Sequence, residues 1–181
     1  MAEEQSEETK MEARAFMSGL IGSGDSDAVT EGGPPVDMTA FESFYTNSAR
    51  DSAVLETFWS DYYNPKSTSL WTMVYDEADS NETLEETIQI AKEFMKKMPA
   101  TMKDHCFGII HTLENLETKG LFFFNGPDPE QLFGANEDTS WFTWNKIGPD
   151  VNDYVKAAVA PFLAPEDGKL HGTFIKDTQI F

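Results

Sequence analysis

The sequence is poor in the residue types on which most enzyme and metal sites depend. Its 181 residues include one cysteine, Cys106, which excludes an internal disulfide and any paired-cysteine metal or redox motif. Only two of its basic residues, Arg14 and Arg50, are arginines, so a cluster that grips phosphate through paired hydrogen bonds is not expected. Neither a dinucleotide-binding glycine fingerprint nor a phosphate-binding loop occurs. The sequence therefore predicts no catalytic, cofactor-binding or metal-binding residues, and no cofactor.

Long apolar runs are also missing. The run at residues 120–124 has the length of a strand, far below the roughly 20 residues that cross a bilayer. The first residues lack the basic start and apolar stretch of a secretory signal, and they are too acidic for a transit peptide. We therefore expect no membrane insertion and a cytoplasmic location.

Positive charge is scarce throughout the chain. Thirteen Lys and Arg residues against thirty-two Asp and Glu residues give a formal net charge of −19 at pH 7. Such a field repels nucleic-acid phosphates, so no nucleic-acid partner is expected. The same field suits a protein partner that presents a basic surface.

The spacing of the cysteine and the histidines disfavours a reactive site. His105 and Cys106 are adjacent, so on a strand their side chains point to opposite faces. His105 and His111 would share a face, but six strand residues separate them by about 20 Å, too far for one zinc ion. A small enzyme that uses Cys106 or an acid pair is kept as the third alternative.

Composition divides the chain near residue 37. Residues 1–36 contain eight acidic and two basic side chains but only one aromatic residue, Phe16. We predict that residues 1–37 form an acidic tail that is largely disordered or docked on a partner. Residues 38–181 contain all the other aromatic residues and are predicted to form one folded domain.

Periodicity within residues 38–181 predicts helices and strands in a mixed order. A short helix from Met38 is predicted to end at Asn47-Ser48, and Ser52 is predicted to cap a second helix. A strand at residues 69–75 and a long helix follow; Asp79 with Glu82 is predicted to cap this helix, and Pro99 to stop it. Next come a hairpin over residues 105–124, a strand within 139–147, a helix opened at residue 149 and ended by Pro161 or Pro165, and an extended end at 174–181. This order predicts an α+β domain whose mainly antiparallel sheet is covered by helices, with additional helices at its start.

Aromatic residues are the strongest positive feature of the sequence. Regularly spaced aromatic rings usually fill a core, whereas tryptophan and tyrosine also carry much of the energy of protein interfaces. Both roles stay open for seven candidate core or interface aromatics. These are Phe58, Trp59, Trp71, Phe107, Phe124, Trp141 and Trp144.

The same aromatic residues carry a resemblance to a known family. Phe58-Trp59, Ser69-Leu70-Trp71, Cys106-Phe107-Gly108, Phe142-Thr143-Trp144 and the final Gln179-Ile180-Phe181 follow in order along the chain. Over residues 38–181 this set resembles the C-terminal domain of the translation elongation factor 1 gamma subunit. The resemblance implies a ferredoxin-like, non-enzymatic scaffold domain with a role in translation elongation, whose partners are elongation factor 1 complex subunits. The alternative is an accessory structural subunit of a large cytoskeletal or organellar assembly.

Overall fold

The structure, a computed structural model, describes residues 34–181. The predicted acidic tail lies almost entirely outside these residues. The division of the chain at residue 37 therefore stays a prediction.

The described residues form alternating helices and strands. The helices are α1 (Met38–Thr46), α2 (Ser52–Thr57), α3 (Leu84–Lys96), α4 (Glu130–Ala135) and α5 (Asp153–Leu163). The strands are β1 (Thr68–Tyr75), β2 (Cys106–Leu113), β3 (Thr118–Asn125), β4 (Phe142–Ile147), β5 (Lys169–Leu170) and β6 (Thr173–Ile180). A π-helical turn, Phe58–Tyr62, continues α2, and short 3-10 turns span Ala78–Ser80, Ala100–Asp104 and Glu137–Trp141.

The strands form one antiparallel sheet in the order β4-β1-β3-β2-β6-β5. Helix α3 connects β1 to β2, and α4 lies between β3 and β4, so these elements make the βαββαβ unit of a ferredoxin-like fold. The predicted α+β fold and its ferredoxin-like sheet are confirmed. The β5–β6 hairpin extends the unit beyond β2, and α1, α2 and α5 add a layer that the unit itself does not contain.

Each face of the sheet carries its own core, because alternate residues of a strand point to opposite faces. On β1, Leu70 points to one face, whereas Trp71 and Met73 point to the other. We call the core under α1, α2 and α5 the Phe41 core, and the core under α3 and α4 the Phe94 core. All of β2 is buried, since both of its faces are covered.

The first two helices begin at aspartate caps. The Asp37 side chain accepts a hydrogen bond from the Ala40 backbone N–H, and Asp51 accepts one from Ala53. Helix α1 ends at Asn47, as predicted. The predicted cap of α2 at Ser52 is wrong by one residue, because the Asp51 carboxylate takes that role.

Helix α3 begins later than the sequence predicts. Asp79 lies in a separate 3-10 turn, and Thr83 caps the helix by accepting the Glu86 backbone N–H at 3.1 Å. The Glu86 carboxylate in turn accepts the Glu82 N–H at 3.0 Å. The predicted Asp79–Glu82 capping box is thus wrong, because the pair Thr83 and Glu86 meets the same spacing rule closer to the apolar run.

Of the two prolines predicted to end the last helix, Pro165 marks its end and Pro161 does not. Pro161 lies inside α5, which continues to Leu163, and Ala164 caps the helix directly before Pro165. Proline removes the hydrogen bond to the carbonyl four residues earlier, here that of Ala157, which is on the exposed side of the helix. Solvent can therefore hydrate the freed carbonyl, and the Ala164 N–H still bonds to the Ala160 carbonyl at 2.8 Å.

Candidate functional site

The seven candidate aromatics do not lie together. Trp141 is 54% exposed and Trp59 is half-buried. The remaining five are at most 2% exposed. These are Phe58, Trp71, Phe107, Phe124 and Trp144.

The buried rings have partners that account for their positions. In the Phe41 core, the Phe41 ring lies 5.4 Å from Phe58 and 4.8 Å from Phe107, centroid to centroid. In the Phe94 core, the Trp71 indole N–H donates to the Ser69 hydroxyl, and that of Trp144 donates to the Thr139 carbonyl, each at 3.1 Å. A buried indole with its N–H satisfied is typical of a structural tryptophan.

Trp141 lines a groove at one edge of the sheet. It is the last residue of the 3-10 turn that leads into β4, and its carbonyl accepts the Asp76 backbone N–H at 3.0 Å. The groove has a volume of about 310 Å³. Its lining, which defines the Trp141 groove, consists of Tyr75, Gln89, Ile90, Glu93, Lys97, Asp138, Trp141 and Phe142.

The apolar floor of the Trp141 groove belongs to the Phe94 core. Tyr75 and Phe142 are directly paired on β1 and β4, with their ring centroids 5.4 Å apart. The Phe142 ring is fixed from behind by Phe94 at 5.2 Å, and Ile90 of α3 packs partly buried beside them. The floor is thus held by packed elements on both sides and is pre-formed.

The rim of the Trp141 groove is acidic. Lys97 is held by Asp138 at 2.8 Å and by Glu137 at 3.6 Å, so its charge is already neutralised. Desolvation raises the pKa of the Tyr75 phenol, and nearby carboxylates, including Glu77 and Asp76, raise it further. The phenol is therefore neutral at physiological pH and the surroundings carry negative potential.

A second groove lies on the other face of the molecule, between the π-helical turn and α5. This Trp59 groove, of about 760 Å³, is lined by Ser52, Leu55, Glu56, Trp59, Ser60, Val151, Lys156, Ala157 and Ala160. Trp59 stands edge-on to Phe58 at 4.8 Å and to Tyr63 at 5.2 Å, which keeps it half-buried. Its lining contains one acidic and one basic residue, so the Trp59 groove is electrically balanced.

The cysteine and the buried histidine have structural environments. Burial raises the pKa of the Cys106 thiol to about 12, so the thiol stays protonated at neutral pH. The two ring nitrogens of His111 contact the Thr178 hydroxyl at 2.8 Å and the Phe162 carbonyl at 3.0 Å. The carbonyl can only accept, so Nε2 carries the proton, and burial lowers the pKa of this imidazole.

Residues 34–181 contain no group of three or more His, Cys, Asp and Glu side chains placed to hold a metal ion. Within the same range, no helix is long and apolar enough to cross a membrane.

Sequence reasoning missed the neighbours of Trp141. Tyr75 and Ile90 were assigned to a strand and a helix, but nothing marked them as lining a common groove. One signal was available in the sequence. Alternate residues of a strand share a face, so Tyr75, at the end of β1, lies on the same face as Trp71 and Met73. The burial of Phe142 beside the exposure of Trp141 follows the alternation seen in the sequence.

Comparison with known proteins gives a consistent family. The family model described as "Elongation factor 1 gamma, conserved domain" matches residues 26–128. The chain is 27% identical over 148 residues to "Elongation factor 1-gamma 2" of Oryza sativa subsp. japonica, which covers 75% of this chain and 34% of the relative. It is 25% identical over 156 residues to "Elongation factor 1-gamma 3" of the same plant, covering 82% and 36%. The chain thus spans about a third of the length of the curated relatives it matches.

Proposed function

This chain belongs to the elongation factor 1 gamma conserved-domain family, and on that premise we propose that it is a non-enzymatic protein-interaction module that serves translation elongation as a scaffold. The relatives are named as elongation factor 1-gamma proteins, which supports a role in elongation. We infer the scaffold role from the side chains that the domain exposes to solvent.

The observation that carries the proposal is the exposure of Trp141. A folded domain buries most of its tryptophan surface, and the other three tryptophans here are buried or half-buried. Trp141 instead leaves 54% of its surface open above an apolar, pre-formed floor. Tryptophan in such a position is the residue type that contributes most to protein interfaces.

The chemistry of the buried side chains supports a non-enzymatic role. Nucleophilic catalysis needs an ionised or activated nucleophile within hydrogen-bond reach of a base. Cys106 is buried and its raised pKa keeps it protonated. His111 uses both ring nitrogens on Thr178 and Phe162, so neither is available to a substrate.

The proposed partners are proteins with a basic surface, with subunits of the elongation factor 1 complex as the first candidates. The net charge of −19 and the acidic rim of the Trp141 groove favour such a surface. We place the chain in the cytoplasm, where elongation takes place.

Affinity purification of the endogenous full chain tests this function. We expect mass spectrometry of the purified material to identify elongation factor 1A and its exchange subunits, at salt concentrations low enough to preserve charge-assisted contacts. An unrelated acidic protein of similar charge, purified in parallel, controls for non-specific capture. Absence of elongation factors from the specific fraction would overturn the role in elongation. Recovery of a cytoskeletal or organellar assembly in their place would support the structural-subunit alternative.

A further inference from the structure

We propose that the Trp141 groove is the docking site for a short basic segment of the partner protein, with one large apolar side chain in the groove and lysine or arginine residues against its rim. This inference rests on the proposed function, because that function is the reason to expect a protein as the occupant of the groove. It adds the location of the site and the chemistry that the site recognises.

The shape and lining of the groove fit one apolar anchor. Tyr75, Ile90 and Phe142 supply apolar surface, and the ring of Trp141 stands open above them. The volume of about 310 Å³ accommodates one large side chain rather than an extended surface. Filling it would remove the exposed indole from water, which is the main source of binding energy at such sites.

The groove also opens at the edge of the sheet. Strand β4 is the terminal strand, and no strand of residues 34–181 pairs with its outer side. Asp76 donates its backbone N–H to the Trp141 carbonyl, so these two residues are a hydrogen-bonded pair of the β1–β4 ladder. Hydrogen-bonded and non-hydrogen-bonded pairs alternate along an antiparallel ladder, so the backbone N–H and C=O groups of Phe142 and Trp144 point away from β1. A segment can therefore approach this edge without displacing a described strand.

Charge selects a basic segment. The one lysine that lines the groove, Lys97, is already paired with Asp138 and Glu137, and Lys96 beside it on α3 is paired with Glu93. Three more carboxylates act on the phenol of Tyr75 and raise its pKa, so carboxylates outnumber lysines around the groove. These three are Asp76, Glu77 and Glu86.

The same charge argues against the other occupants. A second copy of the chain would bring a further −19 to an acidic rim. Residues 1–36, with eight acidic and two basic side chains, would meet the same repulsion. The Trp59 groove is larger, but its charges are balanced, so it would not favour a basic segment over an acidic one.

Binding of defined peptides to the purified full chain tests the proposal. The probe is a fluorescein-labelled peptide of sequence Lys-Lys-Phe-Lys-Lys, followed by fluorescence anisotropy. Two matched peptides isolate its features: Lys-Lys-Gly-Lys-Lys lacks the ring, and Glu-Glu-Phe-Glu-Glu reverses the charge. We expect only the first to bind, with affinity that falls as salt is raised. Equal binding of the glycine peptide would reduce the site to a charged patch and overturn the proposed anchor.

Variants locate the binding on the groove. We expect Trp141→Ala to weaken binding about tenfold, as loss of an interface hot spot does. Tyr154→Ala is the matched control, because Tyr154 is 75% exposed on α5, and it should leave binding unchanged. Trp141→Phe should restore part of the affinity, and circular dichroism checks that each variant is folded. Unchanged binding by folded Trp141→Ala would overturn the proposal.

A charge series separates the rim from general acidity. Glu93→Gln combined with Glu137→Gln removes two rim charges and should weaken binding about threefold. Glu114→Gln combined with Glu166→Gln removes two exposed charges elsewhere and should have no effect. Equal losses from both pairs would show that the overall field, and not the rim, attracts the peptide, which would contradict the site.

The two levels of the account can fail separately. If elongation factors co-purify with the wild-type chain and with Trp141→Ala alike, and the peptide does not bind, the function stands and the site is wrong. If the peptide binds at Trp141 but no elongation factor co-purifies, the site stands and the function in elongation is wrong.

Discussion

The two faces of the sheet are closed in different ways. On the Phe41 side, one ring stands at the centre of an aromatic cluster and contacts Phe58, Phe107 and Phe123 with centroids 4.8 to 5.9 Å apart. On the Phe94 side, the aromatic packing continues to the terminal strand and stops at Trp141, which stays half-exposed. The first face buries its central ring within a cluster, whereas the second leaves one ring half-exposed at its edge.

The covering elements explain the difference. Three helices and a π-helical turn cover the Phe41 core, but α4, the second cover of the Phe94 core, has only six residues. Within residues 34–181, the edge formed by Tyr75 and Trp141 therefore lies between α3 and the 3-10 turn that ends at Trp141, and no further helix lines it.

The largest effects are expected from truncation of the buried rings. Phe41→Ala and Trp71→Ala should each lower the free energy of unfolding by roughly 3–5 kcal/mol, because each leaves a cavity in one of the two cores. Urea unfolding followed by circular dichroism measures both. A loss below about 1 kcal/mol for Trp71→Ala would contradict its assignment to the core.

A smaller loss is expected from adding a single methyl group. A Cβ at Gly108 of β2 would overlap the ring of Phe122, which is itself fully buried. Gly108→Ala should therefore cost roughly 1–3 kcal/mol through overpacking. Gly134→Ala is the control, since a Cβ there meets nothing within 4 Å, and helix propensity predicts a gain of about 0.5–1 kcal/mol. Equal effects of the two changes would show that the Phe94 core is loosely packed at β2.

The buried imidazole predicts a pH dependence of stability. Burial lowers the pKa of His111 in the folded state, with Arg50 lowering it and Phe162 and Asp177 opposing the shift. The unfolded chain then binds the proton more readily, so stability falls as pH decreases below the ordinary histidine pKa of about 6.5. Unfolding free energies between pH 8 and pH 5 should show this loss, and His111→Gln should reduce it.

His171 provides the comparison for that experiment. Its pKa is also lowered, first by partial burial and then by the nearby Lys119. It lies on an exposed turn, so His171→Gln should change the pH dependence less than His111→Gln does. A larger effect of His171→Gln would contradict the environment described for His111.

The smallest effect on stability is expected at the half-exposed ring of Trp141. Trp141→Ala should change the free energy of unfolding by about 0.5 kcal/mol or less, as exposed positions do. The same variant should remove a large part of the tryptophan fluorescence that acrylamide quenches readily, because Trp71 and Trp144 are buried and Trp59 is half-buried. A loss of several kcal/mol in the free energy of unfolding would show that Trp141 belongs to the core and not to the surface.

Elements with strong local signals were predictable from the sequence. The hairpin β2–β3 follows from two apolar runs around a polar turn, and α1 ends where Asn47 was expected to end it. Helix α4 is not predicted, because residues 125–129 directly before it, Asn-Gly-Pro-Asp-Pro, read as a loop. In α3, the spacing of the sequence predicts an apolar stripe through Leu84, Ile88, Ala91, Met95 and Met98. The buried residues of the helix are Thr87, Ala91 and Phe94, so only Ala91 is common to both sets. Tertiary packing rotates the helix by part of a turn, and local periodicity does not specify that rotation.

The candidate site was less predictable than the fold. The sequence marks both Trp141 and Trp144 as candidates. Strand alternation indicates only that adjacent residues point to opposite faces of the sheet. Which one is buried depends on β1 and α3, since Phe142 and Trp144 enter the core that these elements cover. The acidic rim depends on the approach of the turn at Glu137 to α3, a contact across 41 residues between Lys97 and Asp138.

One nuclear magnetic resonance titration tests the central claim most directly. The four indole N–H signals, assigned through single tryptophan substitutions, are followed while the Lys-Lys-Phe-Lys-Lys peptide is added to the full chain. The account predicts that the Trp141 signal shifts, while those of Trp71 and Trp144, which donate to Ser69 and Thr139, stay in place. Movement of the Trp59 signal alone, or of no indole signal, would contradict it.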